Sequence, residues 1–211
     1  MRQSIRNKSM SRGLNLTTNK REIKNLLYIQ YKREVEKRKN IFVFSEELKT
    51  EISMIGDFLT EENSCYGLFM PGRVGNGKTT MLKAIRNLLV GLIDQERISY
   101  CEGDKYPRFV KATDAALLLA KGLYDEFRSI VSSKYLLIDD VGEEPTSVMH
   151  YGVSYKPLYQ IIDYRYENLL PTFISSNLSA DDISKKYEDM RLIDRMSEMF
   201  KVVSFKGGSF R

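Results

Sequence analysis

The sequence has no apolar run that approaches the ~20 residues a membrane-spanning helix needs. Its first six residues also lack the apolar core of a signal peptide. Cysteine is scarce, since Cys65 and Cys101 lie far apart and have no second cysteine close to either, which favours a reducing compartment. These absences predict a cytoplasmic protein that has no membrane partner.

Histidine is scarcer still. His150 is the only histidine among 211 residues, which excludes a metal site built from paired histidines or from histidine with cysteine. The rest of the composition is ordinary, with 42% hydrophobic and 29% charged residues, 13 glycines and 5 prolines, and it excludes a collagen-like or wholly disordered chain. At ~100–200 residues per domain, the length allows one domain with a short appendage.

Positive charge is concentrated at the start of the chain. Residues 1–40 contain twelve Lys or Arg and three Glu, a net charge of +9, whereas the whole chain carries +5, so the remainder is slightly acidic. We therefore divide the chain into a basic arm with one helix at 1–40 and a folded domain at 41–211. A basic segment of this kind favours an acidic partner such as nucleic acid. A solvated tail is the alternative.

The periodicity predicts a helix over residues 22–39. Its apolar stripe consists of Ile23, Leu27, Tyr31 and Val35, with basic residues on the other faces. Two interpretations of the stripe stay open: it fits a groove on a partner, or it packs on the protein's own core. A second helix is expected after Ser45, a plausible N-cap.

From residue 66 onward, short apolar runs alternate with helical stretches. This alternation predicts a parallel α/β sheet of five strands, flanked by helices on both faces. A single helix is expected over 113–126 and another over 155–166. The predicted strands are residues 66–70, 108–111, 135–138, 172–175 and 202–205.

Residues 72–80 match the phosphate-binding pattern G-x-x-x-x-G-K-[ST] without departure, between a predicted strand and a predicted helix. The glycines let the backbone curl so that N–H groups and the start of the helix hold a phosphate. Lys78 would reach the β- and γ-phosphates, and the Thr79 hydroxyl would bind Mg²⁺. The pattern predicts ATP and Mg²⁺ as cofactors. Lys78 is also a candidate catalytic residue. The predicted nucleotide-binding residues are Gly72, Gly75, Asn76, Gly77, Lys78, Thr79 and Thr80.

Acidic residues follow a second apolar strand. Asp139 and Asp140 come directly after Leu136–Ile138, at the strand end where ligands collect in open α/β sheets. Asp139 is the candidate Mg²⁺ ligand, and Asp140 is the candidate that activates the attacking water. A turn with a helix cap is the alternative. Asn177, at the end of the strand at 172–175, could hold the same water, although Ser-Ser-Asn is also a common turn.

Four segments in this order resemble the AAA+ ATPases of the DnaC/IstB type, which are helicase loaders and transposition helper ATPases. They are GRVGNGKTT at 72–80, LLIDDVGEEP at 136–145, YRYENLLPTFISSN at 164–177 and MRLIDRMSEM at 190–199. The closing residues 208–211 also look like the end of that family's domain. The resemblance covers roughly residues 40–211 and implies a P-loop NTPase fold of AAA+ type.

The resemblance also implies roles for individual residues. Asp140 stands where many AAA+ proteins carry Glu, so slow hydrolysis is expected. Asn177 matches the first sensor, and Arg211 matches the second-sensor arginine at the nucleotide. Arg195 matches the arginine finger that acts on ATP held by a neighbouring subunit, with Arg191 as the fallback assignment.

The resemblance implies a helicase loader in DNA replication that binds single-stranded DNA, a replicative helicase and further copies of itself in an ATP-dependent manner. This sequence differs from the family pattern in two ways. The segment before the ATPase domain is short, and the sequence predicts little or no C-terminal helical lid. A transposition helper is the nearest alternative. A P-loop small-molecule kinase and a non-catalytic ATP-dependent adaptor stay open. A GTPase is disfavoured, because the Asn-Lys-x-Asp pattern is missing.

Overall fold

The computed structural model describes residues 19–61, 65–100 and 105–207. Five parallel strands form a central sheet in the order β2-β3-β6-β1-β7, and β4 pairs with β5 in a separate antiparallel hairpin. The strands are β1 Gly67–Pro71, β2 Arg108–Lys111, β3 Leu136–Val141, β4 Val148–His150, β5 Val153–Tyr155, β6 Thr172–Ser176 and β7 Phe200–Val202. The helices are α1 Lys20–Glu36, α2 Glu46–Thr60, α3 Lys78–Asp94, α4 Ala112–Ala120, α5 Tyr124–Val131, α6 Pro157–Glu167, α7 Ala180–Tyr187 and α8 Met190–Met199.

Hydrophobic layers cover both faces of the sheet, as the alternation of strands and helices predicts. Successive side chains of a strand point to opposite faces, so Leu68 and Met70 pack with α1, α2 and α3, whereas Phe69 packs with α4, α6 and α8. The α/β class and the five-stranded parallel sheet are therefore confirmed. Within the described ranges, no helix follows β7, and none is both long and apolar enough to cross a membrane.

The strand order determines where the site lies. β6 runs between β1 and β3, with Phe173 level with both Leu68 and Leu137. Because all three strands are parallel, their carboxyl ends meet at one edge of the sheet. The loop after β1, the acids at the end of β3 and Asn177 after β6 consequently converge there.

The apolar stripe of α1 packs on the protein's own core. Ile23, Leu27 and Tyr31 are almost fully buried, and α1 lies against α2 and α3. Of the two interpretations of the stripe, the internal one is therefore correct. Ser45 caps α2 as expected, since its side chain accepts a hydrogen bond from the Leu48 amide.

Three element assignments were wrong in detail. The helix expected over 113–126 is broken into α4 and α5 by Gly122, whose φ of +71° ends the first helix in the left-handed region. The helix expected from 155 begins at Pro157, because Pro suits a first helical position and residues 148–155 form the short hairpin instead. The fifth strand begins at Phe200, and its backbone bonding to β1 continues as far as Phe205.

Candidate nucleotide-binding site

The predicted phosphate loop lies between β1 and α3 and has the conformation that its glycines permit. Gly75 and Gly77 have φ values of +89° and +90°, which L side chains rarely adopt. A Cβ added at Gly77 would also collide with the hydroxyl of Tyr31 from α1. No side chain caps the start of α3, so its first N–H groups are available for an anion.

Lys78 lies at the centre of the loop and is only 5% exposed. Burial lowers the pKa of its ammonium group, and the nearby carboxylates of Asp140 and Asp139 oppose that shift. Uncharged oxygens accept its hydrogen bonds, which keeps the positive charge available for a phosphate. The acceptors are the carbonyl oxygens of Gly72 (2.7 Å) and Arg73 (2.8 Å) and the side-chain oxygens of Asn177 (3.0 Å) and Asn76 (3.2 Å).

Asn76 and Thr80 support the loop from within. Both are buried, and the Asn76 amide donates to the carbonyl oxygen of Phe205 at 2.7 Å. A Cβ at Gly72 would approach that same carbonyl closely, so this position accepts glycine alone without rearrangement. The chain after β7 therefore packs against the loop and restricts its shape.

Thr79 and Asp139 meet across the sheet edge, as the sequence predicts for a magnesium site. The Thr79 hydroxyl donates to Asp139 Oδ1 at 3.0 Å, and Asp139 is 1% exposed. Hydroxyl and carboxylate oxygens are the ligand types that Mg²⁺ prefers, together with phosphate oxygens from a nucleotide. Among the described residues, no three His, Cys, Asp or Glu side chains are grouped so that they could hold a metal ion. A metal at this position would therefore also need oxygen ligands from a nucleotide. The residues fit a nucleotide-bound Mg²⁺.

Asp140 lines the cleft in an unusual backbone conformation. Its φ is +57°, in the left-handed region that few non-glycine residues adopt. Burial raises the pKa of its carboxyl group, the charges of Asp139 and Glu143 add to the rise, and the charges of Lys111 and Lys78 oppose it. A partly desolvated carboxylate that faces the phosphate loop suits a proton acceptor.

Glu143 is a site residue that the sequence did not predict. The turn that follows Asp140, closed by a bond from the Glu143 amide to the Asp140 carbonyl, folds the chain back toward the cleft. Glu143 Oε1 accepts from the Asn177 side-chain amide at 3.2 Å, while Asn177 itself accepts from Lys78. Gly142, at φ +101° and two residues after Asp140, is the sequence signal for such a turn.

The cleft around these groups has a volume of about 370 Å³. Its floor is the phosphate loop, and one wall is the end of α1 with the segment that follows it. This wall offers apolar and aromatic surface beside the polar phosphate-binding floor, a combination that suits a nucleotide. The wall residues are Tyr31, Val35, Arg38, Asn40, Ile41, Phe42 and Val43.

The structure does not bring Arg195 to its own chain's cleft. Arg195 lies on α8, is 7% exposed and forms ion pairs with Asp163 and with Glu167 (2.6 Å) of α6. Arg191, one turn earlier, is exposed and lies 3.7 Å from Asp163. Arg211 lies outside the described residues.

Helicase loaders are among the known proteins that are similar to this chain in sequence or in fold. No protein-family model matches the chain. DnaI, the replicative helicase loader of Bacillus subtilis (strain 168), is 30% identical over 136 residues, which are 63% of this chain. The chain spans only 41% of the length of that relative.

Two solved structures share the fold. A crystal structure of DnaI is 20% identical to this chain and matches it with a TM-score of 0.60. The match spans 82% of this chain and 89% of the DnaI chain. A crystal structure of the DnaC helicase loader is 22% identical and has a TM-score of 0.56. That match spans 79% of this chain and 94% of the DnaC chain. The chain thus shares its α/β fold with these two structures, and its phosphate-binding sequence pattern lies at the junction of β1 and α3 in that fold. In sequence it is similar to DnaI over 136 residues.

Proposed function

We propose that the protein binds ATP with Mg²⁺, hydrolyses the ATP slowly and acts as a helicase loader. The observation that carries this proposal is the contact between Thr79 and Asp139, next to the Lys78 ammonium group. A P-loop hydroxyl and a strand-end carboxylate at hydrogen-bond distance form the arrangement that holds a nucleotide-bound metal. The loader role is supported by the similarity to DnaI, itself a replicative helicase loader.

Each group has a distinct task in hydrolysis. The amides at the start of α3 and Lys78 bind the phosphates, and Thr79 with Asp139 would hold the metal. When bound, Mg²⁺ supplies positive charge that neutralises the phosphate oxygens. Asp140 accepts a proton from the attacking water, which Asn177 orients. Because the Asp140 side chain is one methylene shorter than Glu, its reach to that water is reduced and turnover is slow.

Assembly would complete the site. An arginine of α8 would contact the nucleotide of a neighbouring copy, which makes self-association ATP-dependent. Arg195 is the assignment that the resemblance implies, but it must first leave Asp163 and Glu167. Arg191 is exposed on the same helix and would have to leave only a longer ion pair, with Asp163 at 3.7 Å.

The proposed macromolecular partners are a replicative helicase and single-stranded DNA. The basic residues of the first 40 positions suit the phosphate backbone of DNA, which attracts clustered Lys and Arg. Since the apolar stripe of α1 is buried in the protein's own core, the helicase would contact other residues of the basic segment.

A pull-down of the replicative helicase from the same cell, with ATP and Mg²⁺, tests the proposal. Wild type is expected to retain the helicase, and Lys78→Ala is expected to lose both nucleotide binding and retention. Lys49→Ala, which removes an exposed lysine of α2, is the matched control and should behave as wild type. Retention that does not depend on ATP or on Lys78 would contradict the proposal. ATP turnover that requires a small-molecule acceptor would indicate a kinase instead.

A further inference from the structure

Strand β3 contains a bulge at its two acids. Residues Ile138 and Ile174 are paired across β3 and β6, but the next pair is Val141 with Ser176, so β3 has one extra residue. A bulge of this kind bends a strand and redirects its side chains. The left-handed conformation of Asp140 lies within it. The bulge therefore determines where both acids point.

Ser175, opposite the bulge on β6, contacts both acids through one hydroxyl. Its Oγ donates to Asp139 Oδ1 at 2.5 Å and accepts from the Asp140 backbone amide at 3.1 Å. A hydroxyl can do both because it carries one donor and two acceptor sites. Ser175 is completely buried, so water cannot easily replace either bond.

The neighbouring serine bonds to the bulge without contacting a carboxylate. Ser176 is equally buried, and its Oγ donates to the Val141 carbonyl at 2.5 Å and accepts from the Leu178 amide at 3.0 Å. The two serines thus belong to the same strand, are buried to the same extent and each make two hydrogen bonds. They differ in that only Ser175 contacts the metal-binding carboxylate.

We propose that Ser175 is a positioning residue that fixes the orientation of the Asp139 carboxylate and the backbone of Asp140. This inference rests on the proposed ATP and Mg²⁺ site. Both Thr79 and Ser175 donate to Oδ1 of Asp139, so two hydroxyls from different elements restrict the rotation of one carboxylate. Outer-shell groups of this type preorganise a metal site without touching the metal.

The proposal makes the Mg²⁺-dependent part of ATP binding sensitive to Ser175. Lys78 and the phosphate loop hold the nucleotide without help from Ser175, so binding measured in EDTA should be unaffected. Without the hydroxyl, Asp139 can rotate away and the Asp140 amide loses its acceptor. The gain in affinity that Mg²⁺ provides should therefore shrink, while the affinity in EDTA stays constant.

The experiment measures the Kd of ATP for the full chain by calorimetry, with Mg²⁺ and with EDTA, under non-turnover conditions at low temperature. Ser175→Ala is expected to reduce the Mg²⁺-dependent gain in affinity by about 10–100-fold, the usual cost of losing an outer-shell partner. Ser175→Thr, which keeps a hydroxyl, should recover most of that gain. Ser176→Ala should keep the gain, although it also loses a buried hydroxyl. Thermal unfolding of each variant records the general cost of the substitution.

An unchanged Mg²⁺ gain in folded Ser175→Ala overturns the inference and leaves the proposed function intact. Equal losses in Ser175→Ala and Ser176→Ala also overturn it, because they indicate a general weakening of the bulge. If Ser175→Ala does not fold, Ser175→Cys, whose thiol is only a weak hydrogen-bond donor and acceptor, takes its place and is judged by the same criterion. Wild type that binds no ATP under either condition refutes both the inference and the proposed function.

Discussion

At the scale of single residues, the site separates two carboxylates that are adjacent in sequence. Asp139 is buried and bonded to two hydroxyls, whereas Asp140 faces the cleft from a left-handed position. Their different surroundings suit the two roles that we propose for them, a metal ligand at Asp139 and a proton acceptor at Asp140. The Asp-Asp pair was visible in the sequence, but the bulge that turns the two side chains apart was not.

Asp140→Asn tests the assignment of the proton acceptor. The substitution keeps the size of the side chain and removes its basicity, so hydrolysis should fall by about 10²–10⁴-fold while ATP binding is retained. Steady-state phosphate release and equilibrium ATP binding measure the two effects. Glu143→Gln neutralises a second carboxyl group in the same cleft and should have a much smaller effect. Hydrolysis unchanged in Asp140→Asn would favour an adaptor that only binds ATP.

Glu51 of α2 makes stability depend on pH. Burial raises its pKa to about 7, a nearby Glu47 charge adds to the shift, and a bond from the Lys206 amide opposes it. The folded state thus binds a proton more tightly than the unfolded state, so stability falls as pH rises from about 4.5 to 7. Glu51→Gln removes this loss and should stabilise the protein at pH 8 relative to pH 5 by about 2–3 kcal/mol.

Chemical denaturation at the two pH values measures this difference. Glu46→Gln, at an exposed carboxyl of the same helix, is the control and should leave the pH dependence of wild type unchanged. If the free energy of unfolding has the same pH dependence in wild type and in Glu51→Gln, folding does not raise the pKa of Glu51, and this account of the pH dependence is wrong.

At the scale of elements, α1 joins the core to the nucleotide cleft. Its buried face packs on α2 and α3, and its last turns contribute Tyr31 and Val35 to the cleft wall. The helix itself was predictable from its four-residue spacing. Its location was not, because an apolar stripe looks the same whether it packs on a partner or on the protein's own sheet.

Leu27→Ala should weaken both stability and nucleotide binding. Leu27 is completely buried, so truncation leaves a cavity that costs about 2–5 kcal/mol. Loosening α1 should also displace Tyr31 from the phosphate loop and raise the Kd of ATP. Ile29→Ala removes a partly exposed side chain from the same helix and should do neither. Thermal unfolding measures the loss of stability, and ATP titration measures the Kd. A Leu27→Ala variant that is destabilised but binds ATP with unchanged affinity would show that the packing of α1 does not influence the site.

The short hairpin β4–β5 marks the limit of prediction at this scale. Its strands have three residues each, and its turn uses positive φ at Tyr151 and Gly152. A period-2 pattern over three residues cannot be told from a loop. The five sheet strands, by contrast, had recognisable apolar runs, so the architecture followed from the sequence even where strand ends shifted by up to three residues.

At the scale of the whole molecule, positive charge is concentrated in the first 40 residues of the chain. Residues 1–18 contain four arginines and lysines, and they lie outside the described residues. If they contact phosphates, deleting them should lower the slope of log affinity against log salt for single-stranded DNA by up to about 3, at ~0.7 for each phosphate contact. Fluorescence anisotropy at several salt concentrations measures the slope. A slope that stays the same would place the DNA contacts elsewhere.

The most direct test is a crystal structure of the protein with a non-hydrolysable ATP analogue and Mn²⁺ in place of Mg²⁺. The triphosphate should lie in the curve of residues 72–80, and the anomalous signal of Mn²⁺ should appear beside the Thr79 hydroxyl on the side of Asp139. A nucleotide bound elsewhere, or a metal remote from both residues, would contradict the proposed site and the activity derived from it.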